Sequence, residues 1–346
     1  MVSNGKELYD KITGQKRTLL LGLAVVIVIA FLADICIGPA WLSITEIFSA
    51  IFQPDSVDRG VQVIVRDIRL PIALMAVMVG ASLAIAGAEM QTILDNPLAS
   101  PFTLGISSAA GFGAALALVF GAGISIGEEF VVPINAFLFA VLTCFLIYSI
   151  SKVGRFGVGA IVLAGIAVSL FFQSALATVE YYAAEEELEA VVFWMFGNLT
   201  RVTWLKLGIV TVVLAVTTPL LVKDAWKLTA LRLGEEKARS LGIDVVRLRL
   251  KVFICVSVIT AVAVCFTGII GFIGLVGPHI ARMLVGEDQR FFLPTSALAG
   301  AIFLAAASIA SKLVDPGAIF PIGVLTSLIG LPFFIFLLIR TGRQYW

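Results

Sequence analysis

Polar and apolar residues in this chain alternate in long blocks, not residue by residue. A helix rises 1.5 Å per residue, so about 20 apolar residues cross a hydrocarbon core of about 30 Å. Blocks of this kind lie near residues 18–37, 71–93, 101–120, 131–151, 158–180, 204–222, 250–268, 272–286, 293–313 and 322–340, the eighth being short. They predict an all-α, polytopic membrane protein with about ten transmembrane helices. Residues 1–17 form a polar N-terminal segment, and residues 18–346 form one transmembrane domain. The first block is too long for a cleavable signal and lacks an A-x-A exit.

Basic residues orient the spans, because they concentrate on the cytoplasmic side. Lys6, Lys11, Lys16 and Arg17 precede the first span, and Lys152 and Arg155 separate the fourth from the fifth. The stretch 223–251 carries Lys223, Lys227, Arg232, Lys237, Arg239, Arg247, Arg249 and Lys251, and Arg340 and Arg343 close the chain. With ten crossings all of these share one side. Segments 121–130 and 181–198, on the other side, hold Glu128, Glu129, Glu185, Glu186, Glu187 and Glu189 but no Lys or Arg. Both termini are therefore expected to be cytoplasmic. The first outer loop, residues 38–70, is the exception, with Arg59, Arg66 and Arg69. Either Asp55, Asp58 and Asp67 neutralise them or they form a docking surface for an acidic partner; charge alone leaves both readings open.

Composition agrees. Hydrophobic residues make up 60% of the chain and charged ones 14%, against roughly 25% charged in soluble domains. A soluble protein of this length has too little interior to hide so much apolar surface. A net charge of +1 with no basic run gives no sign of nucleic-acid binding. Cys36, Cys144, Cys255 and Cys265 lie in apolar stretches without a C-x-x-C pair, and the single histidine, His279, excludes a His-based metal cluster. There is no P-loop, H-E-x-x-H or G-x-S-x-G motif. No catalytic or metal-binding residue is expected. Within the spans the ionisable residues include Asp34, Glu89, His279 and Arg282, with Asp315 just beyond the ninth. Asp34 is expected to snorkel or face water. Glu89, an intramembrane carboxylate, has either a structural or a functional role.

Helix breaks stand out more. Asn96-Pro97 through Pro101 interrupts the sequence between spans two and three, followed by Gly105 and Ser107-Ser108. Gly268, Gly271, Gly274 and Gly277 recur every three residues and lead into Pro278; Pro316, Gly317, Pro321 and Gly323 precede the last span. Non-helical backbone at membrane depth is tolerated only inside protein or beside a water-filled path. Asn96, Pro97, Ser107, Ser108, Gly271, Gly274, Gly277 and Pro278 are thus candidates for a translocation path or its gates. Gly80, Ala84 and Gly87 suit close helix packing. Within 223–251, Gly234 and Gly242 bracket a short helix with an apolar edge, a pattern that suits docking of a soluble partner.

These residues resemble the permeases of the FecCD type, subunits of ABC importers for iron–siderophore chelates, haem and cobalamin. The matching stretches are Arg69-Leu70-Pro71, Gly80 through Gln91, Asn96-Pro97-Leu98-Ala99 with Pro101, and Leu104 through Ser108. Leu233-Gly234, Ala238 and Leu241-Gly242 follow, then Gly271 through Arg282, Leu293-Pro294 and Pro321 through Val324. They run in the family's order from about residue 60 to the C-terminus.

The resemblance implies a type II ABC importer permease fold in a bacterial cytoplasmic membrane, with spans two to five and seven to ten related by an inverted repeat. It also implies a dimer of permeases, identical or paralogous. Two ATPase subunits, which bind ATP and Mg, would dock on Leu233, Gly234, Glu235, Ala238, Arg239, Leu241 and Gly242. A periplasmic or lipid-anchored binding protein would dock on Arg69, on Arg66 one helical turn earlier, and on Lys312. Ile72 stands where the family's R-[IL]-P-R segment has its second Arg, and Ile319-Phe320 where a Glu is common before Pro321. The chain itself would bind no cofactor. Iron–siderophore is the first expected cargo, haem or cobalamin the alternative. An ion-coupled secondary transporter, resting mainly on Glu89, is the rival reading.

Overall fold

The computed structural model describes residues 2–40, 42–123, 127–153, 157–314 and 319–341, with side chains for all of these but 2–5, 128 and 336–341. Arg155, Asp315, Pro316, Gly317 and Arg343 lie outside the described residues, as do the side chains of Glu128 and Arg340. All regular structure among the described residues is helical. Helix α1 (Val2–Cys36) carries the polar N-terminal stretch straight into the first span. From Val2 on, the polar N-terminal segment 1–17 extends that helix. Next comes α2 (Ile44–Phe52), started by a capping box between Ser43 and Glu46. Helix α3 (Arg59–Gln62) continues through a π-helical turn, Val63–Arg69, into α4 (Leu70–Ile93).

A short turn leads to α5 (Ile106–Phe120), α6 (Glu128–Val153), α7 (Val158–Tyr182), α8 (Glu185–Met195) and α9 (Trp204–Val222). Two short helices follow, α10 (Ala225–Leu231) and α11 (Glu235–Ser240). The chain ends with α12 (Val245–Thr267), α13 (Ile273–Val285), α14 (Gln289–Val314) and α15 (Ile322–Thr341). Seven helices are long and apolar enough to cross a bilayer, and α5, α13 and α15 are shorter apolar ones. These ten fall on the ten apolar blocks of the sequence.

The spans α4 and α12 are the most enclosed; α1 and α9 are the least. Helix α4 packs along α14 and touches α13, α12 and α9. Lipid tails are as apolar as Leu, so close backbone packing, not a hydrophobic driving force, holds such helices together. Gly80 and Gly87 allow it. A Cβ at Gly80 would lie 2.5 Å from the Gly300 carbonyl oxygen, and one at Gly87 1.9 Å from that of Gly274.

A buried ion pair ties α1 to α14. Lys312 Nζ lies 2.8 Å from Asp34 Oδ1 and donates to the Asp34 carbonyl at 2.7 Å, while Ser308 Oγ donates to Asp34 Oδ2 at 3.0 Å. Asp34 is fully buried, contrary to the expectation that it reaches water. The cause is its partner, which lies far off in the chain but one helix away in space.

The breaks between helices are stitched to one another. Asn198 N donates to Thr267 O at 2.7 Å, Ile322 N to Gly197 O at 3.2 Å, and Gly323 N to Phe196 O at 2.9 Å. Non-helical backbone from three places in the sequence thus satisfies itself inside the protein, as a bilayer requires.

Two outcomes follow from this packing. Gly87→Ala should lower stability by about 1–3 kcal/mol or more through overpacking. Gly159→Ala, where an added Cβ meets nothing within 4 Å, should leave thermal unfolding in detergent unchanged or slightly raised. Lys312→Met should cost about 3–5 kcal/mol by stranding the Asp34 charge. The double substitution Asp34→Asn with Lys312→Met should recover most of that loss in the same assay.

Candidate functional site

An open groove of about 500 Å³ lies where α8, the 269–272 segment and α15 meet. Met195, Phe196, Ile269, Gly271 and Phe272 line one side; Gly323, Val324, Ser327, Leu328, Leu331 and Pro332 line the other. Its volume falls in the range of about 300–1,000 Å³ typical of ligand sites. Phe272 holds a left-handed conformation with φ of 65°, unusual for a bulky side chain. Gly330 of α15 makes room for it, since a Cβ there would lie 2.5 Å from the Phe272 Cβ.

The groove borders a polar spot on α5 and α7. Ser108 and Ser169 hydroxyls lie 3.3 Å apart, and Gln173 Nε2 donates to Ser169 Oγ at 3.1 Å. One turn past Ser108, Gly111 approaches Leu176, Ile269 and Met195. Gln173 and Ser174 are exposed in the middle of a span. An amide facing lipid is costly, so this face suits water or a second protein surface.

Of the residues marked from sequence as path or gate, Gly271 lines the groove and Ser108 sits beside it. Ser107 is buried, and its hydroxyl has no hydrogen-bond partner among the described residues. Gly274, Gly277 and Pro278 do not line an opening. They are buried, Gly274 against Gly87 of α4 and Gly277 against both Ala84 of α4 and Gly300 of α14. Small residues there serve backbone contact. Asn96 and Pro97 lie past the end of α4, where Asn96 Oδ1 accepts from Leu98 N at 2.9 Å in a tight turn. Next to them Asp95 pairs with Arg232, so the turn faces the charged α10–α11 region and not the groove.

At the other end of α4, the three basic residues expected to dock a partner separate. Arg66 is exposed; its Nη2 donates to Ile51 O at 2.9 Å, and its own carbonyl accepts from Trp204 Nε1 at 3.2 Å. Arg69 is buried and spent on the end of α1. It donates to Ile35 O at 3.0 Å, to Cys36 O at 3.1 Å and to Ala40 O, satisfying carbonyls that the helix leaves open. Lys312 is buried against Asp34. Neither Arg69 nor Lys312 is free to meet an outside partner in this conformation, whereas Arg66 is. Among the described residues no ion pair joins Arg59 or Arg66 to Asp55, Asp58 or Asp67.

The α10–α11 segment presents a different surface. Gly234 and Gly242 bracket α11 with φ of 106° and 80°, and Ile243 N donates back to Ala238 O at 3.1 Å. Leu233 and Leu241 are each 61% exposed, while Ala238 is fully buried against the spans. Glu235 bonds Arg239 at 2.7 Å and Arg249 at 2.8 Å. The hydrogen bond from Arg249 holds the Glu235 carboxyl below the usual carboxylate range. Arg239 faces outward beside the two leucines.

Sequence reading did not find the polar network behind this segment. Arg232 pairs with Glu287 and Asp95, Arg282 reaches Glu287 and Gln91, and Arg249 donates to Ile93 O at 3.0 Å. Gln91 and Arg282 both fall inside recognisable motifs, but nothing along the chain pairs them. Glu89 is fully buried, and neither carboxyl oxygen has a hydrogen-bond partner among the described residues. No group of side chains there is arranged to hold a metal ion.

Known proteins share this architecture. The model of the FecCD transport family matches residues 26–340. An iron chelatin transport system permease protein of Helicobacter pylori is 37% identical over 282 residues, covering 82% of this chain and 84% of that one. The hemin transport system permease protein of Yersinia pestis is 34% identical over 340 residues, covering 95% and 98%. A solved metal-chelate type ABC transporter in an inward-facing conformation superimposes with a TM-score of 0.83 at 31% identity, over 94% of this chain and 99% of that one. The chain belongs to the FecCD transport family.

Proposed function

We propose that this chain is the membrane-spanning permease of an ATP-driven importer that carries an iron–siderophore chelate across the cytoplasmic membrane. The observation that carries this reading is the pairing of an open groove among the apolar helices with an exposed apolar docking segment beyond the spans. The iron chelatin relative and the metal-chelate type structural neighbour support the cargo.

A second permease chain, identical or paralogous, covers the α5–α7 face and closes the groove into a path. The exposed Gln173 and Ser174 support that placement, because lipid cannot satisfy them. Two ATPase subunits, which hold ATP and Mg, dock on Leu233, Arg239 and Leu241. A periplasmic or lipid-anchored binding protein docks at the opposite face through Arg66, with Arg59 nearby. The lysine and arginine bias supports a cytoplasmic position for α11 and both termini. The chain performs no covalent chemistry. It exists in inward- and outward-facing states, and its partners supply the free-energy difference between them.

Reconstitution tests the reading. Liposomes holding the permease with its ATPase and binding protein should take up a ferric siderophore only when ATP is supplied, and far less haem or cobalamin. Preferred uptake of haem or cobalamin would move the cargo; uptake driven by an ion gradient without the ATPase would overturn the mechanism. Arg66→Glu should weaken binding-protein affinity about tenfold, the loss of a charge-assisted contact worth about 1.4 kcal/mol. ATPase association should be unchanged. Unaltered affinity in a pull-down titration would remove Arg66 from the docking surface.

A further inference from the structure

Pro278 sits inside α13 and has no N–H to donate. The carbonyl of Gly274, four residues earlier, therefore lacks the i→i−4 hydrogen bond that any other residue at 278 would supply. A side chain of α4 serves it instead: Gln91 Nε2 donates to Gly274 O at 3.3 Å. The other end of the same amide, Oε1, accepts from Arg282 Nη2 at 2.9 Å. Arg282 Nε in turn lies 3.1 Å from Glu287 Oε1. Glu287 also grips Arg232, with its Oε2 3.0 Å from Arg232 Nε and its Oε1 bonded to Nη2. Burial raises the affinity of Glu287 for a proton, but the two arginines outweigh this and hold its carboxyl below the usual range.

Arg232 immediately precedes Leu233 of the docking segment. A continuous line of polar contacts therefore runs from that segment to the closest backbone approach of α4 and α13. Gln91 is fully buried, and the Arg232, Arg282 and Glu287 side chains are 17%, 12% and 37% exposed. Charge-assisted contacts that are partly enclosed in this way are stronger than fully exposed surface pairs. Three other links leave the same region. Arg232 also pairs with Asp95, Glu235 reaches Ile93 O through Arg249, and Thr229 accepts from Gln289 N while Gln289 Nε2 donates to Thr92. These three reach the C-terminal end of α4. The line through Arg282 enters α13.

Where α13 begins matters as much. Phe272 is its N-terminal cap and, with Gly271, lines the groove. The helix has the groove at one end and Arg282 near the other, with Pro278 inside it between them. A proline break is where a helix bends. A pull on Arg282 relative to Gly274 would thus turn the groove end of α13.

Resting on the importer reading above, we propose that Arg232, Glu287, Arg282 and Gln91 form the route by which ATP-driven displacement of the 233–242 segment reaches the α4–α13 crossing and the groove. Gln91 and Arg282 are positioning residues: they touch neither nucleotide nor cargo. A static brace would stabilise the fold but would not separate ATP turnover from movement at the groove.

The test uses the full permease–ATPase complex in lipid nanodiscs, with an environment-sensitive dye on Leu328→Cys at the groove. In Gln91→Met and Glu287→Gln, ATP turnover should stay within about twofold of the parent, while the ATP-driven dye response falls about tenfold, a coupling loss near the usual upper range. Because the two residues act in one line, the double variant should lose no more than either single. A retained dye response, a matching fall in ATP turnover, or losses that multiply in the double variant would overturn the route. Should Gln91→Met fail to assemble, Gln91→Glu keeps an acceptor for Arg282 but ends donation to Gly274; it should uncouple equally, and a normal dye response there overturns the route. A working parent with unaffected variants overturns this route alone. A parent complex without ATP turnover overturns the importer reading and the route with it.

Discussion

Gly274 carries a carbonyl that Pro278 deprives of its i→i−4 hydrogen bond, and α4 lies so close that a single added carbon at Gly87 would collide with it. In water such a group would simply be hydrated. In a bilayer an unsatisfied backbone group costs several kcal/mol. The chain answers with Gln91, an amide whose two ends bond two different partners. The same constraint recurs wherever a helix breaks. Arg69 takes up the open carbonyls of α1, Arg249 takes that of Ile93, and the stretches at 196–198, 267 and 322–323 bond to one another. Helix breaks are thus confined to places where a partner is at hand, and those partners lock distant spans into one arrangement.

Charge placement follows from the same economy. Asp34 and Lys312 neutralise each other at the α1–α14 contact. Arg232 and Arg282 are balanced by Glu287 and Asp95 where α4, α13 and the docking segment meet. What remains open to an outside partner is different in kind at the two faces. Leu233 and Leu241 offer apolar edges on one, and Arg66 offers a cation on the other. The groove bounded by the left-handed Phe272 is lined by none of these residues.

Much of this could be read along the chain. Ten apolar blocks became ten apolar helices, because span length is a one-dimensional property of hydrophobic runs. Gly242 ended α11 as its position suggested, since a left-handed residue after a helix favours glycine whatever surrounds it. What the chain alone did not show has one cause, lateral neighbours. Gly274 and Gly277 looked like broken backbone near a path, but they fall inside α13 and face α4. Arg69 and Lys312 looked like outward cations until the end of α1 and Asp34 came alongside them. The link between Gln91 and Arg282 spans most of the chain, and no local pattern encodes it.

On the importer reading, this web of satisfied breaks holds a groove whose exposure to the two sides of the membrane is exchanged by events at the docking segment. The most direct measurement of that exchange is the sidedness of a single cysteine at Ser327, in a variant lacking the four native cysteines, probed in the assembled complex. A membrane-impermeant thiol reagent should reach that cysteine from one side without nucleotide and from the opposite side with ATP bound. Labelling from the same side in both conditions would contradict the account.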